Sequence, residues 1–326
     1  MVKQRIALWD NLKFFLVTCV VIGHFADQFT DVSYVYDSIF LFIYSFHIPL
    51  FIFISGIFHK SVNTTEKAIF FISIGFAYKM CSAIVERLLG TVNVEFFLLM
   101  DGGISWFMFS LAAYTVILKI IEKQNKTYIL IFSILLACFV GFDQTIGDFL
   151  YLSRIIIFFP FYLSGVLLKD IDFVSLKKNN TAYIIIGAII LFVWLSLCFF
   201  KVDLLYGLRY LFTGRNPYFP QIMSFAPLVR ISSYIISFVV GAAIIMIMPN
   251  KKIYLFSNMG KNSINVYFWH MNVYYILNKV FHVSNLFYYG TLGKLSFLLL
   301  AVIISIVLSQ SVFSFPIKQI RKQIFK

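Results

Sequence analysis

Apolar residues fill this chain in long blocks, and polar residues gather in short connections between them. Ten blocks have roughly the 17–25 residues that an α-helix needs to cross a bilayer. They are 6–26, 39–58, 68–89, 104–122, 128–146, 151–169, 182–200, 228–248, 263–281 and 293–314. The pattern predicts an all-α polytopic membrane protein with about ten transmembrane helices, built as a single integral-membrane domain over residues 1–326.

Composition strengthens this reading. The chain is 61% hydrophobic and only 13% charged, with a mean hydropathy of +0.89. Soluble domains are about 45–50% apolar and 25% charged, so a soluble fold is excluded. The first block is too long, and lacks the small-residue cleavage site, for a removable signal peptide. The formal charge is +13. With the N-terminus inside, alternate connections place 17 basic residues on one side and eight on the other, with Lys13 and Lys79 left in the membrane. The positive-inside rule then puts both termini in the cytoplasm. Spread over six inner segments, this charge serves orientation rather than a nucleic-acid groove, and no nucleic-acid partner is expected.

Some polar residues sit inside the apolar blocks, where an ionisable group is costly and usually functional. The first block, RIALWDNLKFFLVTCVVIGHF, holds Asp10, Lys13 and His24. At 100° per residue, Lys13 and His24 end about 20° apart around the helix, with Asp10 within about 40° of His24. The three share one stripe that should face the protein interior. Lys13 and His24 stand about 16 Å apart along the axis. His47 enters the second block at a depth comparable to His24, followed by Pro49, Ser55 and Gly56. Lys79 lies mid-span in the third block, and His270 near the middle of the ninth. Arg154 falls at the outer end of the sixth, which also contains Pro160 and Gly165. Trp106 opens the fourth block and is expected at the outer interface. The one long connection, 201–227, lies outside and carries Arg209 and Arg215 among aromatic residues, a combination suited to a sugar or an anionic headgroup.

Other chemistries find no footing. Cys19, Cys81, Cys138 and Cys198 are scattered through apolar blocks as small core residues. No HxxxH, HxxE or CxxC pair suggests a metal. A P-loop and a G-x-S-x-G elbow are absent. Histidine-centred acid–base chemistry in a membrane is what remains.

Four stretches together resemble the acyltransferase-3 family of integral-membrane acyltransferases, and most resemble its fucose 4-O-acetylase-like or polysaccharide O-acetyltransferase branch. The first block resembles a family signature of a basic residue, ten residues and a histidine, here Lys13 and His24. FHIPLFIFISG, SRIIIFFPFYLSGVLLK and MGKNSINVYFWH resemble three further motifs in the same order. The resemblance implies an enzyme of the cell membrane that transfers an acetyl group from acetyl-CoA to a hydroxyl of a cell-surface polysaccharide or its lipid-linked precursor. It implies His24 as the catalytic histidine, whether as general base or as acetyl carrier, and Lys13 as its basic companion; beside them Asp10 is placed to orient Lys13 or meet a donor group. His47, Arg154 and His270 follow as pocket residues. Some members carry an arginine pair in the third helix on the donor side; here that region offers Lys79 and Arg87. No metal is implied. With the chain ending at Lys326, a relay to a fused extracytoplasmic domain is not expected. The competing class is a polysaccharide or small-solute exporter using the same intramembrane polar path. The sugar and the oligomeric state are not readable from the sequence.

Overall fold

The computed structural model describes residues 5–100, 103–177, 181–215 and 217–325. Among them there is no strand. The long helices are α1 (Ala7–Asp27), α2 (Tyr34–Tyr44), α3 (His47–Ile57), α4 (Thr64–Leu88), α5 (Trp106–Ile120), α6 (Lys126–Phe139) and α7 (Leu152–Leu167). A short α8 (Phe173–Lys177) leads into α9 (Thr181–Phe200), and α10 (Val202–Leu205) and α11 (Arg209–Phe212) follow. The chain closes with α12 (Ala226–Ile247), α13 (Tyr254–Lys261), α14 (Ser263–Phe281), α15 (Gly290–Leu308) and α16 (Ile317–Ile324).

Every one of the ten apolar blocks is occupied by helix. Among the described residues, seven helical stretches are long and apolar enough to span a membrane, and α5 and α6 are shorter apolar helices. The remaining block is α14, which has 19 residues but buries Asn265, His270 and Asn272. These polar residues lower its hydropathy, and their burial means that they face protein rather than lipid. The protein is an all-α polytopic membrane protein. Its outer helices turn apolar side chains outward, as Phe192 on α9 (71% exposed) and Leu299 on α15 (59%) do, where lipid would cover them.

Two departures from the pattern matter. The second block forms two helices rather than one, with a break at Ser45–Phe46. Pro49 has no N–H to donate, and its ring crowds the carbonyl four residues back, that of Ser45. The break is held by Trp194 Nε1, which donates to Ser45 Oγ at 2.9 Å. Connection 201–227, expected as one long loop, is instead a cap of short helical turns. Arg209 pins it to the α1–α2 connection through a two-pronged pair with Asp31 at 2.9 and 3.0 Å. The fully buried Arg230 pins it from below, donating to the Leu211 carbonyl at 2.8 Å.

Helix α1 runs through the interior and packs against α2, α3, α13, α14 and α15. The crossing of α3 and α7 depends on two glycines. A Cβ on Gly56 would fall on the Tyr162 carbonyl, and one on Gly165 on the Phe53 carbonyl. The two backbones are thus in reciprocal contact, the close approach that small residues allow in membrane helices.

Candidate active site

A cavity of about 1100 Å³ lies inside the bundle, just above the ~300–1,000 Å³ range of ligand pockets. Along α1 it is lined by Lys13, Val17, Val20, His24, Asp27 and Gln28. These residues recur every three or four positions, which is one face of a helix. Of the stripe read from the sequence, Lys13 and His24 lie on the wall of the cavity.

His24 is partly exposed, and its free surface is to the cavity. His47 joins it from α3. Its Nδ1 stands 2.8 Å from the carbonyl of Ile43, just before the helix break. A carbonyl only accepts, so Nδ1 carries the proton and Nε2 the lone pair. Tyr44 lies edge-on to the same ring at 4.7 Å. His270 approaches from α14, fully buried, its ring centroid 5.4 Å from that of His24 and tilted by 31°. Its Nδ1 donates to the carbonyls of Val266 and Tyr267, both at 2.9 Å. The structure thus places His270 against His24, and His47 in the same cavity wall as His24.

Arg154 was expected near the interface but is buried. Its guanidinium sits 4.8 Å above the Trp106 ring and 4.0 Å from Asp148. Trp106 is likewise not an interface anchor. It is buried, stacks on Phe158 at 5.4 Å and lines the cavity beneath Arg154. A cation over an indole face, away from bulk water, is a strong arrangement and holds the arginine in the wall.

The two ends of the cavity differ in charge. The end near the chain termini is lined by Arg5, Lys13, Lys60, Lys67, Lys261 and Arg321. Asp10 does not itself line the cavity. Its buried carboxylate is 2.6 Å from Arg5 Nε and 3.9 Å from Lys13 Nζ, so it holds two of these cations rather than facing a ligand. Lys13 also lies over the Phe58 ring at 4.5 Å. His59, which the sequence reading did not single out, faces the same end, with Nδ1 3.0 Å from Tyr162 Oη. Burial, reinforced by Lys67 and Lys169, pushes its pKa down to about 4. The other end is of mixed sign: Asp27, Arg209 and Arg215 line it. Arg209 is paired with Asp31 and stacked over Tyr206 at 3.9 Å, and Arg215 is 3.9 Å from Asp148.

Of the residues that the sequence offered for substrate contact, Lys79 and His270 do not line the cavity. The Lys79 ammonium donates to Tyr151 Oη at 3.0 Å and to the carbonyls of Leu98 and Met100, both at 3.3 Å. It anchors the α4–α5 connection. Among the described residues, no three His, Cys, Asp or Glu side chains are grouped as a metal ion would require. The four cysteines are free, three of them buried.

One cavity thus joins a cationic mouth, His24 and His47 in its wall, and an arginine held over an indole. Residues 6–313 match the family described as an acyltransferase domain, acyltransferase-3, and the chain belongs to that family. It is a multi-pass membrane acyltransferase. Comparison with curated proteins and with solved structures found no match.

Proposed function

We propose that this acyltransferase moves an acetyl group from acetyl-CoA to a hydroxyl of a cell-surface polysaccharide or its lipid-linked precursor, within one domain in the cell membrane. The observation that carries the reading is the single face of α1, which joins a cationic mouth at Lys13 to a histidine cluster at His24. Coenzyme A is a polyanion with a long thin arm. The cluster of Arg5, Lys60, Lys67, Lys261 and Arg321 suits its phosphates. The roughly 16 Å between Lys13 and His24 suits the arm, which would present the thioester at the histidines. Positive-inside orientation sets this mouth in the cytoplasm, where the donor is made.

In this scheme His24 takes the proton of the acceptor hydroxyl as the oxygen attacks the thioester carbonyl. The C–O bond forms, the C–S bond breaks, and the leaving thiolate receives the proton from His24. Arg154, fixed over Trp106, faces the same space and offsets charge that develops on the carbonyl oxygen. The mixed charges of Asp27, Arg209 and Arg215 receive a polar, hydroxyl-rich acceptor from the opposite side. Family membership favours this enzyme over an exporter. The test is the acetyl content of the surface polysaccharide in a deletion strain. Polymer that is exported and unacetylated is the expected result. Polymer retained inside the cell, or acetylated as before, contradicts the reading.

A further inference from the structure

His270 is fully buried, and its Nε2 has no hydrogen-bond partner. A buried acceptor left unpaired is costly and rare, and it calls for an explanation. Two carbonyls, those of Val266 and Tyr267, hold the proton on Nδ1, so Nε2 cannot also be a donor in the neutral ring. Its lone pair is therefore fixed in place by the backbone of α14. The ring beside it is that of His24, 5.4 Å away between centroids. At that separation the two rings are neighbours, and turning a His24 N–H towards Nε2 would give it the donor it lacks. Sites without substrate commonly hold such bonds long. Among the described residues, no carboxylate is hydrogen-bonded to either ring.

Resting on the O-acetyltransferase reading above, we infer that His270 is the positioning residue for His24. Its Nε2 accepts the N–H of one His24 nitrogen, so the other His24 nitrogen presents its lone pair to the acceptor hydroxyl. When His24 takes up the hydroxyl proton, the same acceptor stabilises the imidazolium. The role is the one a buried carboxylate fills in a Ser-His-Asp arrangement, here given to a neutral imidazole. Neutrality suits the location: a carboxylate buried at this depth would need a permanent cation beside it, whereas an imidazole with its proton fixed on Nδ1 needs none.

The test compares two amides at position 270. His270→Asn keeps a polar group near Nδ1 for the Val266 and Tyr267 carbonyls and removes the acceptor at Nε2. His270→Gln places an amide oxygen near Nε2. Purified protein in nanodiscs is assayed with labelled acetyl-CoA and deacetylated polysaccharide from the deletion strain. Expected is a fall in kcat of about tenfold or more for His270→Asn, with the KM for acetyl-CoA within about twofold of wild type and substantial recovery in His270→Gln. The double variant His24→Ala/His270→Asn should be no slower than His24→Ala, because His270 acts through His24. Equal rates in the Asn and Gln variants, or a further loss in the double variant, overturn the inference while leaving the reaction intact. If the wild-type protein itself transfers no acetyl group, the underlying reading fails and the inference falls with it.

Discussion

His24 is the residue on which the chemistry turns. His24→Ala should lower acetyl transfer by about 10²–10⁴-fold, the loss typical of a removed general acid–base group, with protein still in the membrane. Retention of more than roughly a third of the activity would be far outside that range and would remove His24 from the mechanism. Lys13 lies about 16 Å away by helical rise, too far to share a proton with His24. It sits among the cations of the mouth, so Lys13→Met should raise the KM for acetyl-CoA with kcat held, the mark of lost uniform binding. An unchanged donor KM with weaker acceptor binding would contradict the donor-side role. His59 gives a pH test at the same end. With its pKa held down to about 4 by burial and neighbouring lysines, it is neutral throughout the physiological range and gains its proton only as pH falls towards 4. The pH dependence of the donor KM between about pH 6 and 8 should therefore be the same in wild type and His59→Asn. A step near pH 6.5, the ordinary histidine value, that disappears in the variant would refute the assignment. Lys13 and His24 were legible because helical period alone puts them on one face. His59 and Trp106 were not. A histidine just past a helix end and a tryptophan at a helix start look the same in sequence whether they meet water, lipid or a cavity.

At the scale of elements, the crossing of α3 and α7 fixes where His47 and Arg154 stand relative to each other. Gly56→Ala or Gly165→Ala forces a methyl group onto a backbone carbonyl that cannot step aside as a side chain would. Each should destabilise the folded protein by about 1–3 kcal/mol, the usual cost of overpacking. The readout is the thermal unfolding midpoint in detergent, with Gly147→Ala, which meets open space, as the neutral control. Equal midpoints for all three variants would show that the crossing does not depend on the glycines. The ten apolar blocks were readable because bilayer thickness imposes a length. The break within the second block was not readable from proline alone. Pro49 lies just after a break, whereas α7 continues through Pro160. The difference includes a tertiary partner: Trp194 on α9 bonds Ser45, a contact between distant residues that a linear pattern does not reveal, and the local bond of His47 to the Ile43 carbonyl adds to it.

The whole molecule is a bundle around a large cavity with a cationic end and a mixed end. The sequence counted Lys60, Lys67, Lys261 and Arg321 only as orientation charges, because nothing along the chain separates a lysine that faces headgroups from one that converges on a mouth. The account requires that mouth to face the cytoplasm, with Thr213, which lines the opposite end, facing out. In a Cys81→Ser background, a cysteine at position 213 should react with an impermeant thiol reagent in intact cells. Reaction only after permeabilisation would reverse the topology. The central claim joins side, donor and base, and it is tested most directly by acetyl transfer in sealed inverted membrane vesicles loaded with deacetylated polysaccharide. Labelled acetyl-CoA is supplied only outside the vesicles, on the face that was cytoplasmic. The account predicts acetyl label on the enclosed polymer with wild-type protein and almost none with His24→Ala. Label that enters the polymer equally well with His24→Ala, or none with wild type, would contradict it.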